Sequence, residues 1–172
     1  MPSHEVWAAA FAKQARSDWA VYQRLTAAGE ADCHSLHYLQ MACEKIAKAY
    51  RIRDLDADID ELMRHHVGFA RFVRAFLLSP ALRQDFQGQA ARLQAIVADA
   101  SKLAREIERL APAVDREGRL DNAEYPWPAG DDVIVPCDYD FPNLSLLTAA
   151  RGRALLKLIR RAMEDFEQLR IQ

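Results

Sequence analysis

Apolar residues return along this chain every three or four positions, and runs of β-branched residues are nearly absent. That spacing matches the 3.6-residue turn of an α-helix rather than the alternation of a strand, so the chain is expected to be all-α, with four or five helices and no sheet. The first helix is expected over about 4–28. Ser3 is its cap, Trp7, Phe11, Tyr22 and Leu25 sit at helical spacing, and Gly29 is its stop. The second opens on Asp32 as cap and carries Leu36, Leu39, Cys43, Ile46, Ala47 and Tyr50 on one face, which predicts a central position. An acid-rich linker over 54–60 offers several caps before a third helix with Leu62, Phe69, Phe72, Val73 and Phe76. Ser79 and Pro80 then end one helix and begin the next, because proline is tolerated in a first helical turn. The fourth helix carries Leu82, Phe86, Leu93, Ile96, Ala100, Leu103, Ile107 and Leu110, with Gly88 as a bend and Pro112 as its close.

Helical periodicity vanishes over about 113–143, where Pro126, Pro128, Gly130, Pro136 and Pro142 punctuate an acidic stretch. Connections this long inside one domain are usually functional or mobile. Within it, 131–135 reads as a short strand, confined to an edge by the proline that follows. The last helix is expected from a cap at Asn143 to near Ile171. Leu144, Leu147, Leu155, Leu158, Ile159, Ala162, Phe166 and Leu169 form its apolar side, and Arg153, Lys157, Arg160 and Arg161 the other. Such a basic side is ordinarily the solvated back of a core helix. A phosphate-facing stripe is the alternative, which Glu164 interrupts.

With 172 residues the chain supports one sizeable core, read as a single domain over 1–172. The 23 Lys and Arg against 25 Asp and Glu leave a net charge of −2, so nothing draws the whole chain to a polyanion or an acidic membrane surface. No apolar run approaches the ~20 residues of a membrane span. The first residues lack the basic start and apolar block of a signal peptide, which makes the cytoplasm the expected compartment. Three cysteines without a CxxC pair suit reduced thiols. Cys33 reads as a helical surface thiol, Cys43 as core, and Cys137 as a thiol whose neighbour Asp138 disfavours the thiolate, so none resembles an activated nucleophile. Neither GxGxxG nor GxxxxGK[ST] occurs, and the acids of 54–60 lack the glycine and terminal glutamate of a calcium loop.

Four of the five histidines cluster: His34 and His37 on the second helix, His65 and His66 at the start of the third. Helical spacing puts His34, His37, Met41, Glu44 and Lys48 on one stripe opposite the main apolar face. Histidines three apart are weak evidence for a metal site, so no metal and no other cofactor is expected.

Read as a whole, the stretch His37, Gln40, Ala42, Glu44, Lys45, Lys48, Ala49 resembles the H-x-x-Q-x-A-x-E-K-x-x-K-A helix of the HEPN (higher eukaryote and prokaryote nucleotide-binding) family. A preceding helix with Ala15, Asp18 and Leu25 is compatible, as is His65-His66-Val67 where that family often carries His-Asp-Leu. The resemblance implies an antiparallel up-and-down bundle of four to five helices with a long irregular loop before the last. It also implies a homodimer and a toxin–antitoxin or defence setting beside a minimal nucleotidyltransferase. Many members are metal-independent ribonucleases with an R-x(4-6)-H motif near the last helix. Here no histidine follows His66, and no arginine lies four to six residues before any histidine.

The expectation is therefore a non-catalytic protein that binds a nucleotide-bearing ligand, RNA or a partner chain, without a membrane. A divergent ribonuclease using His37 or His66 with Arg151 or Arg153 is the alternative, and a stand-alone helical scaffold a second. The implied cleft places Asn122-Ala123-Glu124-Tyr125-Pro126-Trp127-Pro128 as a lid near His37, Glu44, Lys48 and His66, with Trp127 or Tyr125 stacking on a base. Alternatively, Tyr125 and Trp127 pin the loop to the helices. Candidate binding residues are His34, His37, Glu44, Lys48, His66, Glu124, Tyr125, Trp127 and Arg153.

Overall fold

The computed structural model describes residues 2–172. The described residues contain seven α-helices, one small hairpin and two short 3-10 segments: α1 (His4–Ala28), α2 (Asp32–Leu55), α3 (Ile59–Arg64), α4 (Phe69–Leu77), α5 (Pro80–Gln84), α6 (Ala90–Glu108), β1 (Trp127–Ala129), β2 (Asp132–Ile134) and α7 (Ala150–Glu164), with the 3-10 segments at Pro136–Asp138 and Pro142–Thr148. The fold is thus mostly helical, and none of these helices is long and apolar enough to cross a membrane.

Ser3 caps α1, its hydroxyl accepting from the Val6 N–H, and Gly29 closes the helix in the left-handed conformation (φ 69°). The face that packs differs from the expected one. Ala8, Ala12 and Ala15 are buried with Asp18 and Trp19, whereas Trp7, Phe11 and Tyr22 are only half-buried. Small side chains let α1 lie close along α2, and the large aromatics flank that seam. Asp18 is buried there and meets Lys45 of α2 at 2.5 Å, while Gln14 donates to its other oxygen at 2.9 Å. On α2 the expected apolar face is buried throughout. Ala31, not Asp32, occupies its cap position; Asp32 lies in the first turn, where a negative charge suits the helix dipole.

Other boundaries differ from the expected ones as well. α2 runs to Leu55, so the first residues of the supposed linker are helical, and Asp58 caps α3 through the Glu61 N–H. The expected third helix is two helices, α3 and α4, broken before Gly68 (φ 133°). The Glu108 carboxylate of α6 accepts from the Gly68 and Ala70 N–H groups at 2.6 and 3.2 Å, which satisfies the exposed start of α4. The expected fourth helix is also two, since Gly88 (φ 74°) stops the chain rather than bending it.

α7 begins at Ala150, not at Asn143. Pro142–Thr148 is a 3-10 segment instead, preceded by Phe141 in the left-handed region (φ 44°). Gly152 explains the close packing of the two, because a Cβ there would collide with the Leu146 carbonyl and the Leu147 backbone. The far end of α7 stops at Glu164 rather than near Ile171. Arg53 takes the carbonyls of Phe166 and Leu169, and Asp54 accepts from the Ile171 N–H at 2.9 Å, so the tail is drawn off the helical path.

The core is one apolar cluster centred on an aromatic knot. Tyr50 of α2 meets Phe72 and Phe76 of α4 and Phe166 beyond α7, with ring centroids 5.0–5.5 Å apart. Its hydroxyl donates to the Ala162 carbonyl at 3.0 Å. Over 127–134 the expected absence of any sheet is wrong: β1 and β2 pair antiparallel, Trp127 opposite Ile134 and Ala129 opposite Asp132. Gly130 (φ 65°) supplies the two-residue turn with Asp131. With two strands in the sheet, β2 is an edge strand, as expected for this segment.

Candidate functional site

Two clusters form along one stripe of α2. Near its start, the His37 Nδ1 lies 3.5 Å from a Glu124 carboxylate oxygen on the loop. Tyr38 sets its ring edge-on to the His37 imidazole, centroids 5.3 Å apart. With His34, Tyr125, Cys33 and Cys137 these side chains wall an open cleft of about 440 Å³. Tyr125 lines the cleft and is 60% exposed.

The loop holds this shape through Asn122, a buried residue that sequence reading did not single out as functional. Its side-chain oxygen accepts from the Glu124 and Tyr125 N–H groups at 2.9 and 2.7 Å. Its amide nitrogen donates to the Leu120 and Tyr125 carbonyls, both at 3.0 Å. One side chain therefore makes the four hydrogen bonds available to an amide and fixes the backbone that carries Glu124 and Tyr125. Below it, Arg119 bonds Asp121 at 2.7 and 2.5 Å and reaches Glu106 of α6 at 2.5 Å. The signal in the sequence was an Asn two residues before the Glu-Tyr-Pro step, an Asx-turn pattern.

Seven residues beyond His37, and so about 10 Å along the axis, stands the second cluster. Glu44 accepts from Lys48 at 2.6 Å and Gln40 at 2.9 Å, and faces the His66 Nδ1 at 3.1 Å. Burial would raise the Glu44 carboxyl, but the Lys48 hydrogen bond and charge, with those of Gln40 and His66, outweigh it and hold the group below its ordinary value. Lys48 is only 5% exposed and its ammonium is engaged by Glu44. The histidine stripe is thus split: His34, His37, Glu124 and Tyr125 share the cleft, while Glu44, Lys48 and His66 form a separate, internally neutralised network.

Trp127 and Arg153 join neither. The Trp127 ring is buried and packs edge-on to Tyr139 at 5.1 Å, so it anchors the loop, and Tyr125 is the ring of the two that lines the cleft. Arg153 donates to the Thr148 carbonyl, and Arg151 pairs with Asp99 at 3.2 Å. Cys33 also departs from expectation, being buried at 2% exposure rather than on the surface. Burial pushes its thiol up, as does Cys137 across the cleft; burial and Glu108 raise Cys43 further. Among the described residues no three His, Cys, Asp or Glu side chains are grouped to hold a metal ion.

The arrangement presents aromatic faces, two imidazoles and one carboxylate around an open space. That set suits a planar, hydrogen-bonding ligand better than a phosphate, because its one carboxylate repels anions and no lysine or arginine lines it. No family model, curated protein or solved structure matches the chain.

Proposed function

We propose that this is a non-catalytic, HEPN-like helical binding protein whose cleft between α2 and the 122–137 loop takes the base of a nucleotide-bearing ligand. The observation that carries the reading is the His37–Glu124 pair, flanked by Tyr38 and the exposed Tyr125 in a cleft of about 440 Å³. Tyr125 supplies a stacking surface, and base–aromatic stacking is worth about 1–3 kcal/mol per base. Glu124 accepts from an exocyclic amino group, and the imidazoles of His34 and His37 complete the edge. Bases with an amino group (adenine, cytosine, guanine) are therefore preferred over uracil, and a nucleoside binds about as well as its monophosphate.

The family likeness of α2 further suggests an antiparallel up-and-down bundle, a homodimer and a nucleotidyltransferase partner. A ribonuclease is the less favoured reading, because in-line cleavage needs a base and a cation at one phosphate. His66 faces Glu44, and neither Arg151 nor Arg153 lines the cleft that holds His37.

A thermal-shift screen against nucleosides, nucleotides and short RNAs, with each RNA then run on a gel, tests the proposal. The expected result is a rise in melting temperature with cytidine and adenosine, a smaller one with uridine, and intact RNA. Metal-independent cleavage that disappears in His66→Ala would establish the ribonuclease instead. Sedimentation of the free protein checks the dimer.

A further inference from the structure

A second concave surface lies away from the α2 cleft, between α6, α7 and the turn after α5. Its floor is apolar, formed by Leu82, Phe86, Ile96, Leu155 and Leu158, and it encloses about 360 Å³. Ile96 of α6 and Leu158 of α7 remain half-exposed there although they sit at apolar positions of their helices, and so does Phe86 in the turn after α5. Two ion pairs strap the groove: Arg151 to Asp99 and Arg161 to Asp85, each at 3.2 Å. All four partners are substantially exposed, so these straps are weak and open readily.

Between the straps stands Lys157, which also lines the groove and has no carboxylate within ion-pairing distance among the described residues. Both acids at the rim are already engaged by arginines, so the three bases of this wall leave one cation uncompensated over an apolar floor. That is the complement of an amphipathic anion. Arg151 and Arg161 are ten residues apart on α7, about 15 Å along the axis, which bounds the length of a ligand held between the two straps. A dry cavity of roughly 150 Å³ accommodates benzene, so the present space holds an aliphatic acid of about eight to twelve carbons.

We propose that this groove is a binding site for a medium-chain aliphatic monocarboxylate, its carboxylate paired with Lys157 and its chain laid along the Phe86, Ile96 and Leu158 floor. The site is independent of the nucleoside cleft, so either reading can fail alone.

Calorimetric titration of the full chain with decanoate, below its micelle concentration, reads the proposal. Saturable one-to-one binding is expected, with butyrate inert. Lys157→Gln, at an exposed position that leaves folding intact, should weaken decanoate about two- to fivefold, the loss of one exposed charged pair. Decylamine should bind at least tenfold more weakly than decanoate. Ala154→Trp, which narrows the groove, should lower affinity, whereas Tyr125→Ala should leave it unchanged. Failure of decanoate to bind, equal affinity for Lys157→Gln and the unaltered chain, or equal binding of decylamine would each overturn it. A partner helix competing with decanoate for the same groove would also overturn the assignment to a small acid.

Discussion

Individual side chains in this protein behave according to what faces them rather than according to their type. Ser79 occupies the cap position of α5, where a serine ordinarily contributes about 1 kcal/mol. Here its hydroxyl is buried and finds no partner. Ser79→Ala should therefore be neutral or stabilising by up to about 1 kcal/mol in urea denaturation, since an unsatisfied buried hydroxyl is removed; a loss of a full kilocalorie would mean that the hydroxyl is bonded. Glu44 is the opposite case, a carboxylate held below its ordinary value of 4.5 despite burial, by Lys48, Gln40 and His66. A depressed folded-state pKa means that the unfolded chain binds more protons in the window between the two values, so stability rises with pH there. The contribution of Glu44 should be fully present above about pH 4.5 and be lost as pH falls through the lower folded-state value. Comparing the denaturation midpoints of the unaltered chain and Glu44→Gln from pH 7 to 3 measures this. The difference between them should shrink on acidification, and a constant difference would contradict the account.

At the scale of elements, most boundaries are set by local signals, and the start of α4 and the end of α7 by long-range hydrogen bonds. Gly152 shows the consequence for energetics. In a free helix Gly→Ala gains about 1 kcal/mol, but here the new methyl group would strike the Leu146 carbonyl and the Leu147 backbone. Gly152→Ala should cost about 2–3 kcal/mol as the 3-10 segment is pushed off α7, and a stabilised variant in the same urea assay would disprove that packing. The same feature explains what could be read in the sequence. α1 and the buried face of α2 were legible, because Ser3, Gly29 and the 3.6-residue pattern are local signals. The breaks before Gly68 and at Gly88 were not, since the first depends on Glu108, some forty residues away. Nor was the release of the tail after Glu164, which needs Arg53 and Asp54 of α2. On α2, spacing placed His34 and His37 on one face, but the cleft itself was implied only by the family resemblance, and Glu44 and Lys48 of the same stripe lie outside it. Its loop half was visible as an aromatic-acidic segment, but which ring faces the cleft depends on Trp127 packing against Tyr139 and on Asn122 holding the Tyr125 backbone.

For the whole molecule, the aromatic knot around Tyr50 locks α2, α4 and the end of α7 together, and α2 carries both clusters outward from that rigid centre. The loop closes over one end of α2 on its own hydrogen bonds, so the cleft is preformed and the proposed ligand needs little ordering of the chain to bind. Its occupation by a base is the central claim. The most direct test is calorimetric titration of cytidine and uridine into the unaltered chain, Tyr125→Ala and Asn122→Ala, with folding checked by circular dichroism. The account predicts that cytidine binds more tightly than uridine. Tyr125→Ala should weaken cytidine at least fivefold through lost stacking, equivalent to about 1 kcal/mol, and Asn122→Ala should do so comparably by releasing the loop. Equal affinity for the two nucleosides, or full affinity in folded Tyr125→Ala, would contradict it.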